Sequence, residues 1–341
     1  MAVTIKQIAE TCNISRGTVD RVLNNRGKVK VETEELIRET AAKLGYKPNL
    51  AGKALAVTKK NYVIGIILSS EGNKFYDDVL RGIRQAEQEI ADYGIRILLK
   101  TMKGYEVQRQ LELLDEIKDK INFLIINPIN DDRIIDKINA FSEENIKVIT
   151  INTDVENSKR LCHVGCNYKK SGETACGMLG LLTGGEANIG IAIGSIKVLG
   201  HTQRMSGFDK VCKEQYPKFQ VMDIIETNDD DVCAFIQTQK MLQKYPQINA
   251  IYIVAAGAYG VCQAVTEAGR EKEIVIISSD QTPDIIKLLR EGMIKATICQ
   301  QPWTQGYKSV NMAFQYLVSN VVPEKELHSV KNEIKILQNL D

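Results

Sequence analysis

The chain lacks several things that would each have named a class. Its longest apolar runs, such as Tyr62–Ser69 and Ile274–Ile277, are far too short to cross a bilayer. The N-terminus opens straight into a capped amphipathic pattern, without the basic head, apolar run and small-residue cleavage site of an export signal. A cytoplasmic protein with no membrane partner is therefore expected. Eight cysteines are scattered with no C-x-x-C pair, and there are three histidines, so no zinc site of familiar spacing is expected and the thiols read as reduced. No G-x-G-x-x-G, P-loop or G-x-S-x-G motif stands at a strand-to-helix turn, and His163, His201 and His328 are isolated from one another. An enzyme is not expected, and neither a catalytic set nor a cofactor is assigned. His163 and His201 read as core or pocket-rim residues.

Charge is uneven. The net charge is +1 over 341 residues, yet residues 1–60 carry twelve Lys and Arg against six Asp and Glu, and the remainder is mildly acidic. A small basic head on an acidic body suits a head that meets phosphates. Within that head, Thr4 and Gln7 form a capping box, and Ile5, Ile8 and Ala9 give the first helix one apolar face. A corner at Cys12-Asn13-Ile14 follows. Ser15 then caps a second helix that turns Val19, Val22 and Leu23 inward and shows Arg16, Gly17, Thr18, Asp20 and Arg21 outward. This is a helix-turn-helix, whose second helix can enter a major groove. Asn24-Asn25-Arg26-Gly27-Lys28 is a basic turn, and a third helix is predicted from about Glu32 to Leu44, ended by Gly45. Tyr46-Lys47-Pro48-Asn49 is an extended connector, from which Asn49 can cap a short helix over 50–56.

From Asn61 onward the pattern alternates strands with helices. Strands are predicted at 62–68, 95–99, 123–127, 147–152, 187–193, 220–226, 250–254, 274–278 and 295–302, with helices between them and a last helix over 307–318. Such alternation means doubly wound parallel sheets with crossover helices on both faces. Two series in about 280 residues imply two lobes with a cleft at the strand carboxyl ends.

The head resembles that of the LacI family of bacterial transcription regulators, through the opening T-x-x-x-I-A, the T-V-x-R-V-L-N of the second helix and G-Y-x-P-N before the hinge. The resemblance implies an all-α helix-turn-helix head of three helices plus a hinge helix, followed by a two-lobed α/β body like a periplasmic binding protein. It divides the chain into a DNA-binding domain over 1–48, a hinge over 49–60 and a sensor domain over 61–341. Lobe 1 then takes about 61–160 and 300–325, lobe 2 about 164–295, with crossing segments near 152–165, 279–282 and 299–303. Implied DNA contacts fall on Thr4, Ser15, Arg16, Gly17, Thr18, Arg21, Asn24, Asn49, Lys53 and Leu55. Leu55 matches the leucine that the family's paired hinge helices push into a minor-groove step, where an apolar wedge bends the duplex; otherwise it is a linker residue packed on the body.

This chain departs from the family in places. Gly52-Lys53 replaces the usual Ala-Arg in the hinge, and glycine costs a helix about 1 kcal/mol relative to alanine. Lys30 stands where serine often caps the third helix. Asp20 replaces the common serine, and either accepts from a cytosine amino group or pairs with Arg16 or Arg21. Arg16 can contact guanine through two hydrogen bonds, whereas Gly17 has no side chain to offer.

For the cleft, the resemblance implies a ligand set of Asn73, Phe75, Tyr76, Asn152, Thr153, Arg204, Asp280, Gln300 and Trp303. Phe75 and Tyr76 would stack on a sugar face or else cover the first body helix. Arg204 precedes Gly207 in R-x-x-G-F, and Asp280 supplies a carboxylate for two hydroxyls. Asn127 and Asn130 lie at other strand ends. Trp303, the single tryptophan, either walls the pocket or packs at the hinge. The usual Asn-Asp pair of the second lobe is missing; Val254-Ala255-Ala256-Gly257 stands in its place. The expected protein is a ligand-responsive repressor sensing a sugar or sugar-like effector, partnered by operator DNA and acting as a homodimer or tetramer. A transport-type sugar-binding protein sharing the body is the alternative.

Overall fold

The computed structural model describes residues 3–24, 29–46, 58 and 60–340. The expected hinge helix, with Asn49, Lys53 and Leu55, lies outside the described residues, as does most of the 24–28 turn.

The head comprises α1 (Ile5–Cys12), α2 (Arg16–Leu23) and α3 (Val31–Lys43). The capping box is formed: the Gln7 amide N–H reaches Thr4 Oγ1 at 3.3 Å, and Gln7 Oε1 accepts from the Thr4 amide at 2.8 Å. Asn13 closes α1 in the left-handed conformation, and Ser15 Oγ caps α2 through the Thr18 amide. Lys30 provides no side-chain cap for α3; Glu32 and Glu34 in its first turn supply the negative charge that favours a helix start. Ile8, Val19, Val22, Ile37 and Ala41 meet at the centre. A head this small has few core residues, so each fully buried aliphatic side chain, at about 1.5–3 kcal/mol, matters.

The body contains two six-stranded sheets. The first runs β11 (Leu327–Val330), β5 (Cys162–Cys166), β4 (Lys147–Ile151), β3 (Phe123–Ile126), β1 (Val63–Glu71) and β2 (Arg96–Lys103), all parallel. On one face lie α4 (Phe75–Ile90) and α12 (Pro302–Ser319); on the other lie α5 (Val107–Ile117) and α6 (Asp132–Glu143). Alternation on β1 makes this possible, since Ile64, Ile66 and Leu68 point to the α4 side and Ile67 to the α5 side. The second sheet runs β12 (Glu333–Lys335), β10 (Ile294–Cys299), β9 (Val275–Ser279), β8 (Ala250–Ile253), β6 (Glu186–Ile193) and β7 (Lys218–Glu226), parallel except for β12. Helices α7 (Tyr168–Thr183) and α8 (Leu199–Gln215) cover one face; α9 (Asp231–Lys244), α10 (Ala258–Glu267) and α11 (Pro283–Arg290) cover the other.

Two expected crossings are corrected. Residues 162–166 are a strand of the first sheet, so the chain enters lobe 2 at Asn167, not over 152–165. Residues 279–282 do not cross at all: β9 passes to α11, which packs on lobe 2 beside β10. The return to lobe 1 comes at Gln300–Gln301, as expected. A third crossing lies between β11 and β12, in a tail whose pattern of mixed polar and apolar residues was too short and irregular to mark two edge strands. The strand expected to reach residue 302 stops at Cys299, because Pro302 takes the first turn of α12, where its fixed φ is favourable and its missing N–H costs nothing.

Candidate functional site

Of the described head residues expected at DNA, five are exposed. Arg16, Gly17 and Arg21 are exposed on α2, with Thr4 and Ser15 at the starts of the two helices. Arg21 is held along the helix, its Nε 3.3 Å from the Gly17 carbonyl and its Nη2 3.3 Å from Thr18 Oγ1. A Cβ on Gly17 would meet only Ser15 Oγ, at 4.0 Å, so the fold itself does not require glycine here. Asp20 is engaged by the side chain of Asn24. Asn24 Nδ2 donates to Asp20 Oδ1 at 2.9 Å and to the Asp20 carbonyl at 3.1 Å, and Asn24 is buried. Its amide therefore closes the end of α2 rather than lying open to DNA.

Between the lobes lies a chamber of about 370 Å³, counting the solvent at its mouth. The parallel sheets aim their carboxyl ends at it, which is why polar side chains just after strands converge there. Eight of the nine expected residues line it: Asn73, Phe75, Tyr76, Asn152, Thr153, Arg204, Asp280 and Gln300. Trp303 does not. It stacks on Tyr307 one turn later on α12, with ring centroids 4.9 Å apart, on the hinge side where helix packing holds it.

Arg204 sits at the centre. It is 2% exposed, and its Nη1 donates to the Val254 carbonyl at 2.6 Å. Its Nη2 stands 4.0 Å from Asp280 Oδ1, while Nε and Nη2 have no hydrogen-bond partner. A buried guanidinium with unsatisfied donors is costly, and a ligand oxygen relieves that cost. The Tyr168 ring lies 5.2 Å from its Cζ. Asp280 is held at φ +75, a conformation that few residues other than glycine adopt, and its Oδ1 accepts from Gln300 Nε2 at 2.8 Å. Burial raises the Asp280 pKa against the opposing pull of Arg204 and Gln300. Asn152, also at positive φ, accepts from Tyr76 Oη at 3.1 Å and donates to Gln300 Oε1 at 3.4 Å. Phe75 and Tyr76 stand edge to face at 5.2 Å. Asn127 joins one step behind, bonded to Asn152, and the Asn130 amide donates across the cleft to the Lys197 carbonyl at 3.0 Å.

Three lining or lid residues were missed, Tyr105, Tyr168 and Asp229, while His201, read as a core or pocket-rim residue, lines the chamber. Asp229, also at positive φ, accepts from the Ala256 amide, from Asn73 Nδ2 at 3.3 Å and from the Tyr105 hydroxyl, joining the lobes. Asp229 and Tyr105 follow the ends of β7 and β2, so the strand-end rule that found Asn73 also reaches them; both strands being at sheet edges hid their relation to the cleft. Burial keeps His201 neutral by lowering its pKa, although the Asp229 charge acts the other way. His163 lies outside the chamber, in the core, with Nδ1 3.0 Å from Thr150 Oγ1. Where the sequence lacks an Asn-Asp pair, Ala255 and Ala256 line the chamber and offer no side-chain polar group. Among the described residues no cluster of His, Cys, Asp or Glu could hold a metal, and no helix is long and apolar enough to cross a membrane.

Comparisons with known proteins divide the chain at the same place. The pattern of bacterial regulatory proteins of the lacI family matches residues 4–49, and that of the periplasmic binding protein domain matches residues 64–320. Catabolite control protein A of Priestia megaterium is 25% identical over 295 residues, 83% of each chain. The ribose import binding protein RbsB of Bacillus subtilis is 24% identical over 256 residues, 75% of this chain and 81% of its own. The crystal structure of GanP, a glucose-galactose binding protein from Geobacillus stearothermophilus, superposes with a TM-score of 0.76 at 26% identity, covering 82% of this chain and 98% of that one.

Proposed function

Because this chain belongs to the lacI family of bacterial regulatory proteins, with a periplasmic binding protein domain as its body, we propose that this DNA-binding transcription regulator responds to a sugar held between its lobes. One observation carries the sugar reading: Arg204, buried with two donor nitrogens lacking a hydrogen-bond partner, stands 4.0 Å from Asp280 in a chamber flanked by Phe75 and Tyr76. Donor, acceptor and aromatic face together are what a ring of hydroxyls needs. The sugar-binding names of RbsB and GanP agree with it.

The body is drawn together by contacts that a ligand would reinforce. Lys74 Nζ reaches Asp284 Oδ2 at 2.5 Å, the Gly200 amide reaches Thr153 Oγ1 at 3.3 Å, and Asp229 ties Tyr105 and Asn73 to lobe 2. Effector binding shifts the balance between open and closed lobes, and thereby the spacing of two heads on operator DNA; such couplings amount to about 1–3 kcal/mol. Two heads require a homodimer. Open sheet edges support self-association: Leu99 on β2, Val221 and Ile224 on β7, and Val232 and Ile236 on α9 are all exposed apolar side chains. The reading places the protein in the cytoplasm, acting as a repressor, with no catalytic step.

A thermal-shift screen of the full chain against neutral monosaccharides tests the sugar, since a tight ligand of the native state raises its melting temperature. No shift with any of them removes this reading. The alternative, a transport-type binding protein, shares the body but has no use for the head. Removal of residues 1–58 abolishes operator binding in a gel-shift assay and leaves the sugar-induced shift intact; operator binding that survives the truncation contradicts the assignment.

A further inference from the structure

The cleft does not end at the chamber around Arg204. A second chamber of about 490 Å³, solvent at its mouth included, adjoins it and shares Asn73, Phe75, Asp229, Ala255, Ala256 and Asp280 as walls. Beyond these it is bounded by Lys74 from lobe 1 and by Asp231, Gly257, Tyr259, Thr282 and Asp284 from lobe 2.

The two chambers share a wall of short side chains: after β8 the chain reads Ala255-Ala256-Gly257, and nothing on this stretch extends beyond Cβ. Gly257 itself turns at φ +97. What crosses the boundary is the hydrogen bond from Asn73 Nδ2 to Asp229 Oδ2, at 3.3 Å, and a ligand hydroxyl can satisfy either end in its place. The outer mouth is bridged by the Lys74–Asp284 ion pair, with side chains 54% and 33% exposed. A pair in that setting contributes about 0–1 kcal/mol, so it can part for a longer ligand at small cost.

Charge selects the class. The inner chamber sets Arg204 against Asp229 and Asp280, and the outer sets Lys74 against Asp231 and Asp284. Carboxylates outnumber cations in both, which opposes a sugar acid or a sugar phosphate and favours a neutral ligand rich in hydroxyl donors. Tyr259, 44% exposed, lends the outer chamber an aromatic side chain.

We propose that the second chamber is a second sugar subsite and that the effector is a neutral disaccharide spanning both. This rests on the sugar reading of the first chamber. The test is calorimetric titration of the full chain with maltose, cellobiose, lactose, trehalose and sucrose, and with glucose, galactose and fructose. One disaccharide is expected to bind at least about tenfold tighter than either of its component rings, about the weight of a well-placed aromatic and hydrogen-bonded ring. Tyr259→Ala weakens that disaccharide about five- to tenfold and leaves the monosaccharides unchanged. The aldonic acid of the same disaccharide binds more weakly than the parent. Monosaccharides that match or exceed every disaccharide overturn the second subsite while leaving the sugar reading in place, as does a Tyr259→Ala variant that affects both classes equally. Absence of binding by any of these sugars overturns both.

Discussion

His163 shows how one residue sets the response of the body to acid. It is 3% exposed, and burial lowers its pKa to about 4, despite the opposing Asp154 charge. The unfolded chain titrates this side chain near 6.5, so between that value and about 4 the unfolded state binds the extra proton. Stability contributed by neutral His163 is complete above pH 6.5 and is lost as the pH falls towards 4. Between pH 7 and pH 5 the loss is about 2 kcal/mol. Comparing thermal unfolding of the native chain and His163→Gln at the two pH values checks it: the variant should lose less on acidification. Asp280 works in the other direction. Its raised pKa means that its carboxylate is held at a cost, accepted because a ligand uses it. Asp280→Asn is expected to melt no lower than the native chain at neutral pH and to lose the sugar-induced shift; a retained shift would remove Asp280 from the site. In the head, Gly17 has open space at its Cβ position and a helical setting. Gly17→Ala should stabilise α2 by about 0.5–1 kcal/mol, read as added hydrogen-exchange protection there, while changing operator affinity if DNA approaches the helix at this point.

At the scale of elements, the site depends on two helices packed closer than side chains allow. A Cβ on Gly172 of α7 would overlap the Arg204 carbonyl of α8, and one on Gly207 of α8 would overlap the Lys169 carbonyl of α7. The reciprocal contact fixes the height of α8, and with it Arg204, one turn before Gly207. Lobe 1 repeats the device between Gly82 of α4 and Gly306 of α12. Gly207→Ala is expected to destabilise the body by about 1–3 kcal/mol and to weaken sugar binding more than Gly177→Ala, a change whose Cβ would meet open space, checked by denaturant unfolding and titration. The glycine of the R-x-x-G-F pattern is legible in the sequence as part of a motif, yet its partner Gly172 is not, because which helix lies across α8 is settled by the sheet order.

The whole molecule is a pair of sheets whose relation is adjusted at a cleft. Tyr105 belongs to lobe 1 and Asp229 to lobe 2, and their hydrogen bond contributes only when the lobes are closed. Tyr105→Phe should therefore populate the open form and reduce sugar affinity about tenfold, the weight of a hydrogen bond to a charged group. Small-angle scattering of the variant without sugar should give a larger radius than the native chain. An unchanged radius and affinity would show that this contact does not bear on closure.

The sequence alone determined the helix-turn-helix, the alternation that makes two parallel sheets, and many of the residues that line the chamber. These are local signals: caps, periodicities of 3.6 and 2, and polar residues just after strand ends. It placed Arg204, Asp280 and Gln300 in one chamber through a resemblance of motifs. What it did not contain was proximity between distant segments. The strand at 162–166 and the two in the tail acquire their place only by pairing, β5 between β4 and the distant β11, and β12 against the edge of β10. Asn24, expected at DNA, bonds Asp20 four residues back in its own helix, and it is the packing of the head that buries it. Asp229 and Tyr105 were single polar residues after edge strands until closure brought the lobes together, and the second chamber exists only because two short alanines and a glycine face a gap. Periodicity fixes which face of an element is buried; the tertiary structure decides what that face meets.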